Sequence, residues 1–488
     1  MTEPSATALP GTASAPPARL EPDAIDVAQD TVIGMATSAP AAVVAITLAS
    51  LAATAAYGGG AVLILSAIPM LIIANAYRRL NMWNANSGAS FEWVGRSINP
   101  YLGFLTGWLM IAGYVLGTLS GVEVLGPSVL AVFGSSANSQ WANVFIATAV
   151  GLVMLVIAVI GIRITARTQV VLAAVEYTIL IGISIWGLVY VLGHHAGTVP
   201  ITKGWFSPTG IGGQGEAVAG FLIAVYSYSG WDATVYVNEE VKHRRVNPGR
   251  AALIAVALLA IIYTLAQVGL QGVVSPKAMA ANASDAMVYV AQVLGGGSWA
   301  KVMALALALS VIGTVGTGIV AGARIIYGMA SYRTLPEFLS NVSHRFRTPV
   351  PASILFGVLV VGLAWVYLLA TSVQNAFTSV VNVTGLLFSI FYVLTAIASM
   401  VYYRRRVFSG VWDFLTLGLL PLGSAIFLTW LTVKSLMNAP AEERWSMVGI
   451  IVAGLVLMLV ARFGLRSWFF QTPLESDPGP AVSSASAR

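Results

Sequence analysis

The chain contains no cysteine, and that absence removes disulfides, thiolate metal sites and thiol nucleophiles together. Charge is scarce too: Asp, Glu, Lys and Arg make up 9% of the 488 residues, against about 25% in an average soluble domain. Histidine occurs only four times, and the His194, His195 pair has no second ligand cluster nearby in sequence, so no metal centre is expected. His-Glu-x-x-His runs and repeated filter sequences are missing, which argues against an intramembrane enzyme or an ion channel. No cofactor is implied. Despite the net charge of +6, the basic residues follow membrane topology instead of forming one patch, and no nucleic-acid partner is expected.

What the chain does have is apolar length. Hydrophobic residues make up 57% of it, mostly in runs matching the roughly 20 residues a helix needs to cross a bilayer. Spans are expected near 31–56, 60–77, 101–132, 141–161, 169–193, 216–238, 250–274, 300–330, 351–371, 376–401, 414–433 and 446–465, twelve in all. Residues 1–28 and 469–488, rich in Pro, Ala and Ser, read as disordered tails. With the N-terminus inside, twenty of the 25 basic residues fall on one side, and only Lys203, Lys277, Lys301, Lys434 and Arg444 on the other. That bias sets the orientation: a multi-pass protein of the plasma (inner) membrane with both termini cytoplasmic.

Two spans are interrupted where an apolar helix should not be. The first carries Gly34-Met35-Ala36-Thr37-Ser38-Ala39-Pro40, and the sixth carries Ser227-Tyr228-Ser229-Gly230-Trp231-Asp232. In hydrocarbon an unpaired backbone group costs several kcal/mol, so such breaks persist where protein, a cavity or a solute takes up the freed groups. Five spans separate their starting points, and five is odd. The second unit therefore enters from the opposite face, giving an all-α membrane protein with a 5+5 inverted repeat and two further C-terminal helices. The repeats cover about 29–195 and 214–401, within a core of 29–401, and residues 402–468 hold helices eleven and twelve.

The two breaks form the expected binding site. At the first, Ala36, Thr37, Ser38 and Ala39 keep side chains small, and the restarting helix presents N–H groups and its positive dipole end to a carboxylate. At the second, Ser229 and Gly230 open the backbone, freed carbonyls suit an ammonium, and Tyr228 and Trp231 offer flat apolar surfaces. An amino acid fits donors at one end and acceptors at the other.

The stretch Tyr226-Ser227-Tyr228-Ser229-Gly230-Trp231-Asp232, followed by Asn238-Glu239-Glu240-Val241-Lys242 and Asn247-Pro248-Gly249-Arg250, resembles the sixth helix and following loop of the amino acid-polyamine-organocation permeases. Supporting it are Ser87-Gly88-Ala89-Ser90-Phe91-Glu92-Trp93-Val94 through Gly107-Trp108, and Ala323-Arg324 through Leu335-Pro336. The resemblance covers residues 30 to about 405 and implies a LeuT-type fold. Ser38-Ala39-Pro40 stands where a Gly-x-Gly pair is usual in the family. Some proton-coupled members carry a lysine in the fifth helix, and none of the five lysines here lies in that span.

Carboxylates inside the membrane are costly and are coupling candidates by default. Glu123, Glu176 and Asp232 lie within the spans and Glu239 at the rim. Asp232 has the alternative of capping the restarted helix, and Glu176 that of pairing with Arg163 or Arg167. Glu239, Glu240 and the Lys242–Arg250 cluster suggest a charged gate or simple topogenic charge. Ser310 and Thr314, one turn apart on the eighth helix, offer hydroxyls for a sodium ion in place of a proton. The expected protein is a secondary transporter, not an enzyme, moving an amino acid by alternating access with proton coupling by family analogy. An amine or polyamine carrier anchored on Glu123, or an amino acid exchanger, is the alternative.

Overall fold

In a computed structural model, described for residues 19–478 except 136–138, 208–213, 283–284 and 370–372, the described residues are almost wholly helical, with one isolated bridge between Ile25 and Val241. Helix starts follow local chemistry. α1 (Val27–Thr37) opens on a capping box in which Asp26 accepts from Ala28 and Gln29 while the Gln29 side chain returns to the Asp26 N–H. α2 (Pro40–Ala55) begins on a proline, whose missing N–H would be unpaired there anyway.

α3 (Gly59–Trp83) returns, and α4 (Ser90–Ser97) lies between spans. α5 (Pro100–Val132), capped by Asn99, α6 (Gln140–Ile160) and α7 (Ile162–Leu192) complete the first repeat. The second runs through α8 (Gln214–Ser227), α9 (Ala233–Tyr236), α10 (Asn247–Leu270), the short α11 (Pro276–Ala281) and α12 (Ala286–Gly295), α13 (Gly297–Ser331), α14 (Val350–Leu369) and α15 (Val373–Tyr402). α16 (Val411–Asp413) continues through a π-helical turn into α17 (Leu420–Asn438), and α18 (Ala441–Leu459) closes the chain of spans.

Eleven helical stretches among the described residues are long and apolar enough to cross a membrane. The sixth expected span is the exception, because it is split: α8 has 14 residues and α9 four. Two crossings thus consist of half-helices, α1 with α2 and α8 with α9, at matching places in the repeats. α1 with α2 and α13 form the middle of the bundle; 78% of the apolar window of each is buried, against 17% in the last span, which lies at the rim.

Two expectations change. The first break is narrower than the 34–40 stretch: Gly34 to Thr37 remain helical and only Ser38 and Ala39 fall between α1 and α2. The C-terminal tail expected from residue 469 is instead packed as far as residue 478. Phe469 is fully buried, with its ring centroid 4.2 Å from Phe91, Glu475 pairs with Arg96 at 2.6 Å, and Asp477 N–H donates to Tyr402 O. Two adjacent aromatics bury enough apolar area to hold a segment whose polar remainder would not stay folded alone. At the other end, residues 1–18 of the first expected tail lie outside the described residues, and Leu20 to Asp26 are seated against the loop after α9 through Ala24 N–H to Glu240 O and Lys242 N–H to Ile25 O.

Candidate functional site

The two breaks face each other. Gly230 adopts φ +101°, in the left-handed region, and a Cβ there would lie 2.9 Å from the carbonyl carbon of Thr37 and 3.0 Å from Ser38 N. Only glycine satisfies both the dihedral and the approach. Ala39 has φ +46°, a conformation that costs a non-glycine residue about 1–3 kcal/mol and persists only where its surroundings enforce it.

Between the breaks lies a narrow cavity of about 30 Å³, lined at the first break by Thr37, Ser38 and Ala39, at the second by Ser229 and Gly230, and on α13 by Thr314. That is space for about two waters, so a larger solute enters only as the walls part. Its hydroxyls are oriented alike. Thr37 donates to Ile33 O, Ser38 to Gly34 O, Thr118 to Tyr114 O, Ser229 to Tyr226 O and Thr314 to Ala36 O. With their protons engaged, they leave lone pairs for the cavity. Farther out the wall turns apolar with Val43, Ile46 and Phe388, and among the described residues no Asp, Glu, Lys or Arg lines it.

Several expected site residues sit elsewhere. Tyr228 points from the break toward α3, donating to Leu63 O at 3.1 Å. Trp231 is fully buried and stacks on Tyr392 with centroids 5.3 Å apart. Neither lines the cavity. Their place is taken by Tyr226, whose hydroxyl is 2.8 Å from Ser120 Oγ, and by Tyr114. Unwinding turns each side chain of the segment away from its helical direction, so the sequence spacing did not reveal which aromatic would face inward. Ala36 contributes its carbonyl to Thr314 and no cavity surface.

The acidic residues separate by partner. Asp232 does not cap α9, which is a single turn; its carboxylate accepts from the Tyr236 and Tyr392 hydroxyls. Glu176 pairs with neither Arg163, which binds Glu21, nor Arg167. It accepts from Ala41 N–H at 2.9 Å, and Ala42 N–H donates at 3.3 Å to Ser310 Oγ, which is also hydrogen-bonded to Glu176. In an unbroken helix those two N–H groups would go to Thr37 O and Ser38 O. The donors expected to hold a substrate carboxylate are therefore bound from the side of α7 and α13, away from the cavity.

Glu123 accepts from Tyr367 on α14 at 2.8 Å and does not reach the cavity. Glu239 accepts from Ser87 N–H. Glu240 forms a two-pronged pair with Arg324 of α13, 2.9 Å in both contacts, with both side chains fully buried. Burial pushes the Glu240 carboxyl upward from its ordinary range and Arg324 pulls it back. The loop cations Lys242, Arg244 and Arg245 are exposed and stand apart from this pair. Tyr77, Trp231, Tyr236 and Tyr392 pack together around Asp232.

A family profile described as amino acid permease matches residues 29–461. The chain is 24% identical over 403 residues to the b(0,+)-type amino acid transporter 1 of Mus musculus, covering 80% of this chain and 78% of that protein. It is 25% identical over 281 residues to the Asc-type amino acid transporter 1 of the same species, covering 57% of this chain; that match spans about half, 52%, of the relative's length. Among solved structures, MhsT in complex with L-phenylalanine superposes with a TM-score of 0.60 at 15% identity, over 85% of this chain and 99% of that one. A manganese transporter of Eremococcus coleocola gives 0.56 at 13% identity, over 89% and 95%. At such identities these likenesses establish the LeuT-type fold alone.

Proposed function

Because the chain belongs to the amino acid permease family, we propose that it is a secondary transporter of the plasma membrane that carries a neutral amino acid between the two broken helices. The observation that carries this reading is the pair of breaks meeting at one cavity, with Gly230 against Thr37 and Ser38. Inward-facing lone pairs of Thr37, Ser38, Thr118 and Ser229 accept from an ammonium. The missing wall charge argues against a cationic or acidic side chain. It argues equally against an amine anchored on Glu123, which is engaged with Tyr367 outside the cavity.

Transport proceeds by alternating access. The cavity closed toward the arginine-rich side corresponds to one end of the cycle, and parting of the Glu240–Arg324 pair and the tyrosine layer around Asp232 leads to the other. A proton is the coupling ion favoured over sodium, since Ser310, Thr314 and Ala36 O already bond to Ala42, Glu176 and one another. The arginine-rich side is the cytoplasm and holds both termini.

Uptake into proteoliposomes, measured for a panel of labelled amino acids and amines under separate pH and sodium gradients, tests the reading. Accumulation of neutral amino acids driven by external acid is expected. Uptake confined to amines, or driven only by sodium, would refute it.

A further inference from the structure

One buried carboxylate stands apart from all the others. Asp30, one turn into α1, is fully buried, and neither of its oxygens has a hydrogen-bond partner. Every other buried acid among the described residues has a donor: Glu92 has Tyr332 and Arg96, Glu176 has Ala41 and Ser310, Asp232 has two tyrosines, Glu240 has Arg324 and Glu443 has Asn382. An ionised carboxylate buried in the protein without a protein donor is far costlier than the neutral acid, whereas donors stabilise the charged form of the rest.

The surroundings of Asp30 supply no compensating cation. α1 packs on α7, α9, α10 and α13. Among the described residues, the titratable group that acts on Asp30 is Asp26 of its own N-cap, another anion. Arg324 of α13 is paired with Glu240; on α7, Glu176 is bound to the start of α2, Arg163 is exposed and paired with Glu21, and Arg167 is exposed; Tyr236 of α9 is bound to Asp232, and the near end of α10 carries the exposed Arg250.

Position gives this residue a use. Asp30, Gly34 and Thr37 recur along one face of α1 at helical spacing, and Thr37 lines the cavity. Gly34, without a side chain, lies against α9: a Cβ there would be 2.7 Å from Thr234 Cγ2. The Thr234 hydroxyl is also buried without a partner. Asp30 thus shares a face of α1 with the cavity residue Thr37, with the close contact of Gly34 and α9 between them.

We propose that Asp30 is the residue that carries the coupled proton, holding it while α1 is packed against α9 and α10 and releasing it when α1 pivots about Ser38–Ala39. No covalent bond to substrate is involved: the carboxyl O–H keeps the proton in the closed arrangement, and water entering between α1 and α10 takes it up as the carboxylate forms. The assignment rests on the proton-coupled reading above. Glu176 then serves as a fixed internal cap of α2.

The test uses the full-length protein in proteoliposomes with the labelled neutral amino acid that the wild type takes up fastest. Asp30→Asn keeps the shape and cannot ionise. It is expected to lose acid-driven accumulation by about tenfold while exchange of amino acid for amino acid between loaded vesicles stays within about twofold, and Asp30→Glu restores a pH-dependent response. Acid-driven accumulation by Asp30→Asn at the wild-type level overturns the assignment, as does parallel loss of accumulation and exchange, which marks a packing role. A wild type that ignores the pH gradient refutes the coupling itself, and the assignment with it.

Discussion

Gly230→Val is expected to reduce amino acid uptake by about 10- to 100-fold with the protein still inserted and folded, since holding a non-glycine residue in this backbone geometry costs of order 1–3 kcal/mol. The segment must hold φ +101° while its Cα passes close to Thr37 and Ser38, and a branched side chain permits neither. The damage is local: α8 and α9 keep their packing on either side, and the cavity between the breaks is what closes. Initial uptake rates, set beside size-exclusion profiles and thermal unfolding in detergent, separate this from general misfolding. Uptake within twofold of wild type would mean that the approach of the two breaks is irrelevant to transport.

Arg324→Ala is expected to destabilise the protein by about 3–5 kcal/mol, the cost of leaving a partner charge buried and unpaired. Glu240 and Arg324 are both fully buried and join the loop after α9 to α13 through two 2.9 Å contacts. Replacing both, as Arg324→Met with Glu240→Met, should recover most of that loss, because an apolar pair of similar volume avoids the desolvation cost that the ion pair must overcome. Unfolding in detergent checks both. A single variant as stable as wild type, or a double variant worse than the single one, would show that the charges do not act as a pair.

How much of this was legible in the sequence depended on whether the signal was local. Arginines concentrated in alternate loops, with one interrupted apolar span in each repeat, carried the topology, and these features act within a few residues of where they stand. Side-chain direction inside an unwound segment is not local. Tyr228 and Trp231 turn to α3 and to Tyr392, and Tyr226, still on α8, faces the cavity instead. Partners distant in sequence were hidden too: Glu176 meets a backbone N–H 135 positions away.

Asp30 escaped notice for a simpler reason. The expected span begins one residue after it, so it was left out of the intramembrane acids, whereas the capping box at Asp26 starts the helix earlier and draws Asp30 inside. A capping pattern of Asp followed three residues later by Gln was the available clue. The seated C-terminal segment had a similar clue in Phe469 and Phe470, which a solvated tail rarely contains side by side.

The absence of cysteine makes the most direct experiment simple, since a single introduced thiol is unique in the chain. Ser229→Cys places it in the cavity wall at the second break, and Ser409→Cys places a control on an exposed loop. If solute binds between the broken helices, an amino acid that the protein transports, present at about ten times its dissociation constant, should slow modification at position 229 by about tenfold and leave position 409 unchanged. Equal rates at position 229 with and without that amino acid would contradict the account.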